Sequence, residues 1–171
     1  MAKAWEVPGL RGDARFRDAA GRVILTRWTE MMSYRDGTLL GEDIEELHAM
    51  RVSSRRLRAA MDAFEGAFPA QSFRGYLRQV KEITDVLGDA RDLDVAIDRL
   101  TGMLPGLRRD ERAGIEGLVA RYREERGAED PVIAALFDRI DETGFERRLS
   151  RYVEKHTGVP LATLKLVPPE D

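Results

Sequence analysis

His48, Arg51, Arg55 and Arg58 follow one another at three- and four-residue steps, and Arg74, Arg78 and Lys81 repeat that spacing a short distance along the chain. On a helix such spacing stacks side chains along one face. A guanidinium stays charged at any physiological pH and donates two parallel hydrogen bonds to neighbouring oxygens of a phosphate or carboxylate. Residues four apart rise about 6 Å along a helix axis, so a row of them can meet successive charges of a linear anion. If four such contacts each contribute about 1.5 to 3 kcal/mol, the gross stabilisation covers the micromolar-to-nanomolar range before ordering costs.

Net charge conceals this pattern. The chain is mildly acidic, at −3, which by itself argues against a general polyanion binder. From His48 to Lys81, however, seven basic residues stand against two acidic ones, and from Glu82 to Asp98 six acidic residues stand against Arg91 alone. On a helical wheel His48, Arg51, Arg55 and Arg58 form one stripe opposite Met50, Leu57, Met61 and Phe64, while Arg56 falls on the flank. Arg74, Arg78 and Lys81 likewise oppose Phe73, Leu77, Val80 and Leu87. Two adjacent antiparallel helices would present two basic stripes, and a shared outward face would be a groove that calls for counter-charge.

Other chemistry has less to work with. The chain has no cysteine and two histidines, His48 and His156, with no paired-histidine metal motif. A phosphohydrolase would use His48 as acid or nucleophile and Asp94 with Asp98 as a metal cradle, yet no third carboxylate is fixed beside them as Mg²⁺ prefers. The sequence therefore assigns no catalytic residue, no metal and no cofactor. Tyr76 is the one aromatic among the basic stripes suited to stacking a base, since Phe73 reads as core, so nucleic acid is poorly supported as a partner. The plainer role for these arginines is covering apolar surface or pairing with Asp92, Asp94 and Asp98, and Arg91, next to Asp92 and Asp94 at an expected helix N-terminus, reads as an orienting salt-bridge partner at least as readily as a ligand contact. Against that, the acids are displaced along the chain and not interleaved on the same helices.

The elements that must position these residues are helical nearly throughout. At 171 residues the chain has the length of one domain with its own core, and the expected fold is all-α, an up-and-down antiparallel bundle of about six helices. The first runs Asp13 to Asp36 with Phe16, Ala20, Val23, Leu25, Trp28 and Met32 inward and Gly37 as its C-terminal turn. The second starts at Asp43 in a capping box with Glu46 and ends near Phe64. The third starts at Ser72 and stops at Gly88, and Asp89 and Asp92 cap a fourth that reaches about Leu100. Pro105 and Gly106 begin a fifth, and Asp130 with Pro131 begins a sixth. Phe145 to His156 reads as a separate helix, opened by a Thr143/Glu146 capping box, or as a kinked continuation. Residues 1–158 form the domain and 159–171 a short arm, packed or frayed. Met1 to Phe16 lacks a signal-peptide core and no segment is apolar enough to span a bilayer, so a cytoplasmic location without membrane contact is expected.

The segment His48-Ala-Met-Arg51-Val52-Ser-Ser-Arg55-Arg56-Leu57-Arg58, with Leu87-Gly88-Asp89-Ala90-Arg91-Asp92-Leu93-Asp94-Val95 following, closely resembles the CHAD family, the conserved histidine α-helical domain. The resemblance covers about Phe16 to Val153. It implies a helical bundle that binds inorganic polyphosphate along a basic surface, without catalysis, often beside triphosphate-tunnel domains and at polyphosphate granules. His48, Arg51, Arg55, Arg56 and Arg58 occupy the family's histidine and arginine motif, and Arg91 the arginine of its R-D motif. Arg74, Arg78 and Lys81 come from the wheel alone. Family members typically contain two related four-helix halves, whereas this chain matches the first, so a homodimer is expected to replace the missing half.

Overall fold

The structure is a computed structural model that describes residues 3–168. Among them lie six α-helices: α1 Phe16–Met32, α2 Arg35–Leu40, α3 Ile44–Ala63, α4 Ala70–Met103, α5 Arg109–Glu142 and α6 Phe145–Thr157. Short 3-10 turns occupy Glu65–Ala67, Leu104–Gly106 and Leu161–Thr163, and there is no strand among the described residues. The fold is an all-α bundle, as the periodicity requires.

Six helices make four rods. Phe16 meets Phe64 and Glu30 meets Arg56, so α1 and α3 run antiparallel. Arg126 bonds Asp94 and Arg139 bonds Glu82, so α5 runs antiparallel to α4. Tyr152 meets Ser72 and Tyr76 reaches the Arg148 carbonyl, so α6 is also antiparallel to α4. Thus α6 is the kinked continuation of α5. The kink is Gly144, whose φ of 57° lies in the left-handed region that favours glycine. Thr143 does not cap α6; its hydroxyl instead donates back to Arg139.

Several sequence-based boundaries shift, each for a physical reason. Gly88 does not end a helix: α4 runs unbroken through it, because Leu87 and Ala90 beside it are fully buried and that burial outweighs the roughly 1 kcal/mol a helical glycine costs. Asp89 and Asp92 are therefore mid-helix and cap nothing, and Arg91 is not at an N-terminus. Pro131 lies inside α5, not at its start. The hydrogen bond it denies Gly127 is offset by burial of Ile133, Leu136, Phe137 and Ile140 in the next turns. The left-handed turn expected at Gly37 occurs at Gly41, with φ 67°. Gly37 lies in α2, pressed on the Glu46 side chain, so that carboxylate is turned away from the box it was expected to form; Asp43 alone caps α3, accepting from Glu45 N at 2.9 Å. Ser72 sits inside α4, which begins after Pro69, and its hydroxyl bonds Pro69 O and Tyr152.

The core runs the length of the four rods. Ala20, Leu25 and Trp28 of α1 are fully buried as expected, but Ile24 and Met31 take the inward places expected of Val23 and Met32, which are only partly covered, and Phe16 is exposed. Helix α1 is buried around most of its circumference, and its apolar residues are correspondingly less segregated. Gly21 allows α6 to approach, since a Cβ there would collide with Thr157 and Val159. Val159 and Leu164 are buried, so the segment after α6 is packed on the bundle; residues 169–171 of the expected arm lie outside the described residues.

Candidate functional site

Helices α3 and α4 carry the predicted residues, and two ties fix their antiparallel register. Arg51 lies over Gly88, its Nε 3.6 Å from where a Cβ would stand, and its Nη2 donates to Asp92 Oδ1 at 3.3 Å. At the other end Arg74 meets Glu65 at 3.8 Å. Arg51 and Glu65, the latter in the turn just after α3, are 14 residues apart, as are the Gly88 and Arg74 they lie against, so one register holds along the pair. Counting inward, Arg58 stands level with Lys81 and Arg55 level with Thr84; counting outward, His48 stands level with Arg91.

Helical phase then sorts the side chains. Arg51 and Arg58, two turns apart, share the edge of α3 that meets α4, while His48 and Arg55 occupy the neighbouring outward edge. Across the groove, Lys81 and Arg74 line the facing edge of α4 and Arg78 stands farther out. Arg55, Arg74, Arg78 and Lys81 are exposed, and His48, Arg51, Arg58 and Arg91 are half-buried. Among the described residues Arg55, Arg58, Arg78, Lys81 and Arg91 form no ion pair. Unpaired cations at this density raise the local potential and attract an anion that carries several charges.

Arg91 is placed differently from the others. It continues the buried stripe Val80, Thr84 and Leu87 toward the level where α3 begins, and its charge acts on Asp94 beneath it. Asp94 is itself buried and bonds Arg126 of α5 at 3.0 Å. Burial pushes its carboxyl up, and the nearby Arg126 and Arg91 charges counter only part of that push. Asp94 therefore fastens α4 to α5. Among the described residues no three His, Asp or Glu side chains converge as a metal cluster, and Asp98, one turn on from the buried Asp94, is exposed.

Arg56 faces the other way. It donates to Glu30 Oε1 at 2.8 Å on α1, and Arg27 bonds the other oxygen of the same carboxylate. Glu30 is completely buried, so its charge is tolerable only because two guanidinium groups pair with it. Arg27 also holds the Trp5 carbonyl, which ties the N-terminal segment to the bundle. Neither Glu30 nor Arg27 was assigned a role from sequence. The available signal was an acid one residue before the buried Met31, which a wheel alone reads as a flank position. The three arginines at 55, 56 and 58 thus divide, two toward the groove and one toward the interior.

Over residues 22–166 the chain matches the CHAD domain family. It belongs to that family. CHAD domains are associated with binding polyphosphate and triphosphate and are in general binding modules. No curated protein and no solved structure matched the chain. In this CHAD domain the histidine and arginine motif maps to α3 and the R-D motif to the middle of α4, and among the described residues no helix is long and apolar enough to cross a membrane.

Proposed function

We propose that this CHAD domain binds inorganic polyphosphate, without catalysis, in the groove between α3 and α4. The observation that carries the reading is the row of cations without ion-pair partners, Arg55, Arg58, Arg78 and Lys81, set along two helices in fixed register. His48, Arg51 and Arg74 complete the surface, and Arg91 lies at its far end. Arg56 supports it from below through Glu30. A flexible chain of linked phosphates suits this surface because each added contact is intramolecular once the first has formed.

The test is retention on a polyphosphate matrix over a salt series, with Arg51, Arg55 and Arg58 changed together to Glu. Loss of retention in a folded variant supports the reading, and undiminished retention overturns it. RNA competing as well as polyphosphate at matched phosphate concentration would favour a nucleic-acid module, and orthophosphate release with Mg²⁺ that depends on His48 would favour an enzyme. We further propose a second copy of the chain as partner. Past the level where α3 begins, Val95 and Met103 are each 48% exposed beside Leu100, Leu118 and Tyr122, an apolar groove that a second copy would cover. Sedimentation showing a monomer at micromolar concentration that still binds long polyphosphate would refute the dimer. Location at polyphosphate granules follows from the same binding and is checked by imaging the triple variant beside the parent.

A further inference from the structure

Arg51 differs from its neighbours in the groove. Its guanidinium, 28% exposed, lies along Gly88 and meets the Asp92 carboxylate, which is 73% exposed. Arg58, on the same edge of α3, and Lys81 level with it have no carboxylate within ion-pair distance. One of the positions best placed to bind an anion is therefore already held by an anion belonging to the protein, and a phosphate would compete with the carboxylate for the Arg51 Nη2 donor.

Exposed ion pairs are weak, so Asp92 can be displaced. An isolated phosphate that displaces it exchanges one oxyanion for another and gains little. A linked chain that already engages Arg55, Arg58 and Lys81 presents its next phosphate to Arg51 at high effective concentration. The displaced Asp92 rotates into solvent, which its exposure permits.

We propose that Asp92 is a built-in competitor for Arg51, which makes the groove discriminate in favour of long phosphate chains over short ones. The inference rests on the polyphosphate reading given above and concerns the selectivity of that same site.

The test compares Asp92→Asn with Asp89→Asn, which removes an equal charge from an exposed residue one turn away that has no ion pair. Affinities are measured for tripolyphosphate and for long-chain polyphosphate, in the parent background and in Arg51→Ala, with Arg51→Lys in its place if the alanine variant does not fold. Asp92→Asn is expected to tighten tripolyphosphate about two- to five-fold beyond Asp89→Asn, and to tighten long chains by a smaller factor. With tripolyphosphate the salt dependence should steepen by about 0.7 to 0.9 log units, one further phosphate contact. In the Arg51→Ala background the two acidic substitutions should become equivalent. Equal effects of the two in the parent, weaker binding by Asp92→Asn, or an advantage that persists without Arg51 overturns the proposal. Failure of the parent protein to bind long-chain polyphosphate at all overturns the underlying reading, and this inference with it.

Discussion

Arg55, Arg56 and Arg58 lie within four consecutive positions, yet their surroundings assign them opposite roles, and single alanine substitutions should separate them. Arg56→Ala removes one of two partners of the fully buried Glu30. Breaking a buried pair costs about 3 to 5 kcal/mol, and because Arg27 remains on the second oxygen the lower figure applies. For a domain of 171 residues, about 3 kcal/mol lowers Tm by roughly 6 to 12 °C. Arg55 and Arg58 have no ion pair to lose, so Arg55→Ala and Arg58→Ala should leave Tm within about 2 °C. Binding should show the reverse pattern. Each groove arginine removed should flatten the salt dependence of polyphosphate affinity by about 0.7 to 0.9 log units. Below its melting point Arg56→Ala should keep the parent's slope. Thermal denaturation and a fluorescence titration at four salt concentrations give both quantities on the same samples. A slope that falls for Arg56→Ala with unchanged Tm, or one that stays constant for both groove variants, would refute the division.

Three further outcomes are expected. Gly21→Ala should destabilise the protein measurably in urea, because the added methyl collides with Thr157 and Val159 where α6 crosses α1. Pro131→Ala should raise Tm, since the residue is exposed, packs little and withholds a backbone donor from the middle of α5. His156 is held below its ordinary value by burial, with Lys155 and Arg17 adding to the effect. Its neutral form is thus favoured by folding, and the stability it contributes is present above the unfolded value near 6.5 and lost as pH falls through that region. Urea midpoints at pH 7.5 and pH 5 should differ less in His156→Gln than in the parent.

The helical class was legible because three- and four-residue periodicity persists along most of the chain. The breaks were less so. Gly88 and Pro131 are strong local punctuation, and only the burial of their neighbours in the assembled core explains why α4 and α5 run through them. The basic stripes were legible for the same reason as the helices, since phase within one element follows from spacing alone. Which arginine would turn inward was not, because Glu30 lies 26 residues from Arg56 and their meeting depends on how α1 packs against α3. Pairing of the basic stripe with Asp92 was legible as the plainer alternative and occurs at Arg51, but that Arg51 would be the partner required the α3–α4 register, which no single helix contains.

The continuity of α4 through Gly88 has an electrostatic consequence. Had the chain broken there, the basic and acidic blocks could have folded onto separate faces; instead both ride on one rod of 34 residues, about 51 Å long. Arg74, Arg78 and Lys81 stand toward the end where the helix dipole is positive, and Asp89, Asp92 and Asp98 toward the end where it is negative. Fixed charges and dipole therefore add, and the potential slopes in one direction along the groove. On the proposed polyphosphate reading, a long chain drawn onto α4 would be held most strongly toward Arg74, and its surplus length would leave beside the start of α4.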